Sequence, residues 1–172
     1  MPNEREFHKR QCLLGILLLA ASNLQAQVHP VEIPQGGKPS NSVRSAGVDA
    51  GDYVYISGQG AQRSDGTMPD KFEELASQAL ENIKAIVEAA GLSMEHIVYV
   101  QVYLEDVGNY EKLNGVFARY FPSTPPARAV LGVSRLSPSS IAINSVAVRD
   151  LTGRKPVIPP NYKSTEPFRP VY

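Results

Sequence analysis

The sequence predicts an α+β domain in which helices pack on one face of a mixed β-sheet. One long segment, residues 70–90, carries apolar residues at steps of three and four, while several shorter ones are rich in β-branched and aromatic residues. Their order is two strands, helix, strand, helix, two strands.

The elements follow in chain order. Val28 to Asn41 is rich in Pro and Gly without apolar periodicity, and reads as an extended lead-in. A short strand is expected around Val43 to Ala46, then a longer one at 52–58, whose run Tyr-Val-Tyr-Ile is aromatic and β-branched. Asp65-Gly66 marks the turn that follows. From Asp70 to Ala90, Phe72, Leu75, Ala76, Ala79, Leu80, Ile83, Ile86, Val87 and Ala90 form one stripe of a helix that buries them as core. Pro69 suits its first turn, and Gly91 the left-handed residue that ends it. His96 to Leu104 has apolar residues on both faces, as an interior strand does. Asn109 to Phe121 places Tyr110, Leu113, Val116, Phe117 and Tyr120 on one helical face, and Pro122 ends it. Strands at 127–134 and 141–149 flank the turn Ser137-Pro-Ser-Ser140, and a proline-rich tail closes the chain. The domain organisation is therefore 1–26 leader, 27–41 lead-in, 42–150 folded domain and 151–172 tail.

Charge and composition narrow the function. Basic and acidic residues both number 17, so the chain has no overall field for a phosphate backbone, and no nucleic-acid partner is expected. The one cysteine, Cys12, and three histidines, His8, His29 and His96, are too few for a disulfide framework or a zinc ribbon. Arg5, Lys9 and Arg10 precede an apolar run from Cys12 to Ala21, and Leu24-Gln25-Ala26 offers a small residue before a cut. That is the pattern of a secretory signal peptide, with a buried N-terminal helix as the alternative. The run is well short of the ~20 residues that cross a bilayer, so no stable membrane anchor is expected and the protein is read as exported, periplasmic or secreted.

Two segments could carry chemistry. Ser57-Gly58-Gln59-Gly60 ends a strand with glycines around a polar residue, which suits either a bulge or the close approach of a ligand to backbone N–H groups. Pro125-Pro126-Ala127-Arg128 delivers one Arg at the start of a strand. Its guanidinium could grip a carboxylate with two parallel hydrogen bonds, or sit in a surface ion pair.

Taken together, Val-Tyr-Ile-Ser-Gly-Gln at 54–59, Gln78 through Leu92, Tyr110 through Asn114 to Phe121, and Pro126-Ala-Arg128 with Arg135-Leu136 closely resemble the Rid (YjgF) family over about residues 39–149. The resemblance implies a chorismate-mutase-like fold, a homotrimer with three clefts between subunits, and no metal or organic cofactor. It implies hydrolysis of reactive enamines and imines such as 2-aminoacrylate to 2-keto acids and ammonia. Arg128 would clamp the substrate carboxylate, Ser57 and Gly58 would line the cleft, and Asn114, which matches the family's Asn in the second helix, would also bind substrate.

Three positions depart from the family pattern. Val130 stands where the archetype has Cys, Ser40 or Arg44 where it has a pocket aromatic, and Ala142 where it has a Glu thought to handle the attacking water; Asn144 follows two residues later. Three functions stay open at this point: an exported imine hydrolase, a non-enzymatic trimer binding a small carboxylate metabolite, and a ribonuclease. Balanced charge and the absence of a His pair count against the third.

Overall fold

A computed structural model describes residues 28–31 and 45–153. The leader 1–26, Ser40, Val43, Arg44 and the tail from 154 lie outside the described residues. The strands are β1 (His29–Pro30), β2 (Gly47–Asp49), β3 (Tyr53–Gln59), β4 (Ile97–Leu104), β5 (Ala127–Gly132) and β6 (Ile141–Val148); the helices are α1 (Phe72–Ala89) and α2 (Tyr110–Tyr120). One six-stranded sheet runs β1-β2-β3-β6-β4-β5, with β4 and β5 parallel and every other pair antiparallel. The mixed sheet with two helices is the fold class expected from the sequence.

All of the core lies on the helix side. Leu75, Ala76, Ala79, Leu80, Ile83, Ile86 and Val87 of α1 meet Val54 and Ile56 of β3, Val100, Val102 and Leu104 of β4, and Ile141, Ile143 and Ala147 of β6. Leu113, Val116 and Phe117 of α2 complete it. Gly91, at φ +75°, ends α1 as its position requires, since an L side chain is strained in that region.

Several boundaries differ from the expected ones. The short strand before β3 is Gly47–Asp49; of the expected Val43 to Ala46, Val43 and Arg44 lie outside the described residues, and Ser45 and Ala46 precede the strand. A Cβ on Gly47 would come within 2.9 Å of Ile86 Cγ2 and 3.3 Å of the Tyr55 carbonyl oxygen, so the strand continues through a residue of poor strand propensity. His29–Pro30, inside the expected lead-in, pairs with Val48 and Asp49; two residues are too few to show periodicity. Pro69 precedes α1 by three residues, and Lys71 is its N-cap. His96 closes a single 3₁₀ turn, with its Nδ1 bonded to the Ser93 backbone N–H, and β4 starts after it.

The helices are tied together by Tyr120. Its hydroxyl donates to Glu81 Oε1 at 2.7 Å and lies 3.2 Å from the Ser77 carbonyl oxygen. Burial, then the hydrogen bond to Glu81 and its negative charge, push the phenol up to about 12. An unfolded tyrosine loses its proton near pH 10, so between about pH 10 and 12 the unfolded state has fewer protons than the native one, and stability falls as pH rises. The melting temperature should therefore drop more steeply over that window in the wild type than in Tyr120→Phe. Parallel slopes would remove the phenol from the account.

Among the described residues, none covers the other face of the sheet, which is bare to that extent. In-register positions form a row across it, Tyr99, Val146, Tyr55 and Val48, with Tyr53 beside Val148 below and Leu131, Tyr103 and Ala142 above. Tyr53, Tyr55, Tyr99 and Leu131 are 37 to 50% exposed. A polar row, Gln101 with Asn144, crosses this face between the tyrosines, but the rows on either side are aromatic and aliphatic where a sheet facing water normally alternates to polar residues.

Candidate functional site

Arg128 is the second residue of β5, in register with Val100 of β4, which turns its side chain to the helix side of the sheet. There α2 has built a seat for it. Tyr110, Asn114 and Phe117 fall at i, i+4 and i+7 on one helical face. The guanidinium carbon stands 4.7 Å from the centroid of the Phe117 ring and 5.5 Å from that of Tyr110, within cation–π range. Nη2 donates to Asn114 Oδ1 at 2.5 Å and lies 3.5 Å from the Tyr110 hydroxyl. Glu111 in turn accepts a bond from Asn114 Nδ2 at 3.3 Å, which sets the amide with its oxygen toward the arginine.

No carboxylate among the described residues pairs with Arg128. The aromatic rings and Asn114 fix the plane of the fork through Nη2, and the Nε and Nη1 donors carry no side-chain acceptor among those residues. A half-buried, oriented guanidinium with one donor edge unspent is suited to a bidentate carboxylate. Of the two readings open for Arg128, the surface ion pair is not what these residues form. Asn114, expected to bind substrate, is bonded here to Arg128 and Glu111.

Ser57 and Gly58 form a β-bulge. The register with β6 slips by one between Ile56 opposite Ser145 and Gln59 opposite Ile143, leaving both residues against Asn144. Ser57 N–H donates to the Ala46 carbonyl and its hydroxyl to the Ser45 carbonyl, at 2.9 and 2.7 Å. Gln59 Nε2 donates back to the Ser57 carbonyl at 3.0 Å. Gly58 is exposed, its φ is not positive, and an added Cβ would meet nothing within 4 Å. Neither backbone strain nor packing within the described residues requires glycine there, which points to approach from outside them.

The two segments expected to carry chemistry stand apart within one chain. β6 and β4 stand between β3 and β5, so three strand spacings, about 14 Å, separate the bulge from the arginine strand. Ala142 pairs with Tyr103 and Asn144 with Gln101, both on the bare face, opposite to the side from which Arg128 projects. Asn144 Oδ1 is buried with no hydrogen-bond partner among the described residues. Val130 packs half-buried against the core. The sequence missed the stacking role of Tyr110 and Phe117, although their spacing from Asn114 on one helix face was the signal for it.

The family described as Endoribonuclease L-PSP matches residues 39–148. A RutC family protein of Saccharolobus solfataricus is 39% identical over 94 residues, covering 54% of this chain and 75% of the relative. The 2-iminobutanoate/2-iminopropanoate deaminase of Salmonella typhimurium is 38% identical over 108 residues, covering 60% of this chain and 84% of that enzyme. Among solved structures, Escherichia coli TdcF with bound serine is similar with a TM-score of 0.62 and 32% identity, over 72% of this chain and 98% of that one.

Proposed function

Because the chain belongs to the Rid, or Endoribonuclease L-PSP, family, we propose that it is an exported hydrolase of small enamine or imine acids, giving 2-keto acids and ammonia. The observation that carries this reading is the seated Arg128, with a donor edge left for a carboxylate. The bare apolar face and the separation of Arg128 from Ser57 and Gly58 support a homotrimer, in which the arginine half of one copy closes on the bulge half of a neighbour. Export rests on the leader pattern of residues 1–26.

In this reading the fork of Arg128 holds the substrate carboxylate, and the polar backbone of the Ser57–Gly58 bulge orients a water over the iminium carbon. An enamine first becomes the iminium by taking a proton from water at its β-carbon. The water oxygen then bonds to the iminium carbon while the C=N electron pair moves to nitrogen. One proton passes from that oxygen to nitrogen, the C–N bond breaks with its electron pair leaving on ammonia, and the second proton of the oxygen passes to ammonia or bulk water as the carbonyl of the 2-keto acid forms. The chain's own groups and water supply every step.

Ala142 favours a second reading, a trimer that binds a carboxylate metabolite without turnover, since it offers no carboxylate to take the water's proton. Keto-acid formation from freshly generated 2-aminoacrylate, measured above the uncatalysed rate, separates the two. The wild type should accelerate it. Ala142→Glu should accelerate it further, by up to about 10²-fold, because residue 142 faces the bare side of the sheet and not the core. If neither protein exceeds the uncatalysed rate while 2-oxobutanoate still binds, the binding function stands and the hydrolase does not. His96 does not favour the ribonuclease reading, as its Nδ1 accepts from the Ser93 backbone N–H.

A further inference from the structure

Asn82 lies in the interior of α1, where asparagine is a poor choice because its amide competes for backbone groups. Here the amide leaves the helix altogether. Nδ2 donates to the Gly60 carbonyl at 2.9 Å and to the Gln62 carbonyl at 2.9 Å. Oδ1 accepts from Gln78 Nε2, one turn earlier, also at 2.9 Å. That last bond fixes which end of the amide faces the loop, since only the NH₂ end can serve two carbonyls.

The loop it holds is the chain directly after the bulge. On its far side a Cβ on Gly60 would stand 3.2 Å from Ser139 Cβ, and Ala61 is fully buried. Residues 60 to 62 are thus pinned between α1, the entry to β6 and the core. The bulge itself is held by Ser57 on the Ala46 and Ser45 carbonyls and by Gln59 Nε2 on the Ser57 carbonyl, and at the exposed Gly58 an added Cβ would meet nothing within 4 Å. Its peptide groups take their direction from Ser57 on one side and from the anchored loop on the other.

We infer that Asn82 is the positioning residue of the backbone half of the cleft: by holding the Gly60 and Gln62 carbonyls it sets the direction in which the Ser57–Gly58 peptide groups face the ligand. This rests on the proposed cleft. Asn82 does not touch the ligand and acts only through the bulge.

The test is a double-mutant cycle read by calorimetric titration of 2-oxobutanoate, with a thermal melt of each protein. Asn82→Ala removes both anchors, Asn82→Asp keeps the shape but turns an oxygen toward two carbonyls, and Gly58→Ala puts a methyl in the approach path without a clash inside the chain. Each should weaken binding about tenfold. Asn82→Ala with Gly58→Ala should lose no more than the larger single change, because the obstructed group has already moved, while their effects on melting add. A purely structural asparagine would lower the melting temperature, leave the affinity of the folded protein unchanged, and so overturn the inference; additive losses of affinity would overturn it too. If Asn82→Ala does not fold, Gln78→Ala removes only the bond that orients the amide. It should cost a few-fold in affinity at nearly unchanged melting temperature, and unchanged affinity there overturns the inference. Absence of binding by the wild type overturns the cleft and this role with it. Binding that Arg128→Ala abolishes and Asn82→Ala leaves intact overturns this role alone.

Discussion

Arg128→Ala should lower affinity for 2-oxobutanoate at least tenfold, and Arg128→Lys nearly as much. Each hydrogen bond between charged partners contributes about 1.5 to 3 kcal/mol, and an ammonium cannot reproduce two parallel donors in one plane. Lysine also forfeits the flat contact with Phe117 and the bond to Asn114 Oδ1, so it arrives at the ligand unoriented. The fold should survive both changes with a modest fall in melting temperature, because the guanidinium packs at the margin of the core and a cation–π contact contributes only about 0.5 to 2 kcal/mol. Calorimetry beside a thermal melt reads both quantities. Unchanged affinity in Arg128→Ala would reduce the aromatic seat to packing.

Tyr55→Arg should have an effect as large through a residue on the face of the sheet opposite Arg128. Tyr55 lies between Val48 and Val146 in the middle of the bare face, half exposed in one chain. Burying an unpaired charge there against a second copy costs several kcal/mol, enough to release monomers. Light scattering should show the mass falling from three protomers to one, and 2-oxobutanoate binding should vanish with it although Arg128 is intact. A Tyr55→Arg monomer that binds at full affinity would mean that one chain holds a complete site.

The helices were legible because their signal is long. The apolar stripe from Leu75 to Val87 is the stripe that is buried, and Gly91 stops it at positive φ. Short strands were harder: β1 has two residues, one of them proline, and β2 begins on Gly47, whose presence is explained only by Ile86 and Tyr55, partners distant in sequence. At the site, Arg128, Ser57, Gly58 and Asn114 could be picked out as residue types in a pattern. Their relations could not, because the strand order β3-β6-β4-β5 decides that the bulge and the arginine are three strands apart, and that order is a property of the assembled sheet. For the same reason the bond between Asn114 and the guanidinium was not legible in the sequence. Asn82 was hidden inside a helical stripe, where polar residues ordinarily mark the wet side.

The shared cleft can be tested directly by mixing protomers. Arg128→Ala spoils one half and Gly58→Val the other, so neither homotrimer should bind 2-oxobutanoate. Dissociated and reassembled together, the two should recover binding in about a quarter of their clefts, those that pair an intact arginine with an intact bulge from its neighbour. Calorimetric stoichiometry counts those clefts. A mixed assembly that stays as inert as its two parents, despite proven exchange of protomers, would contradict a site built between copies.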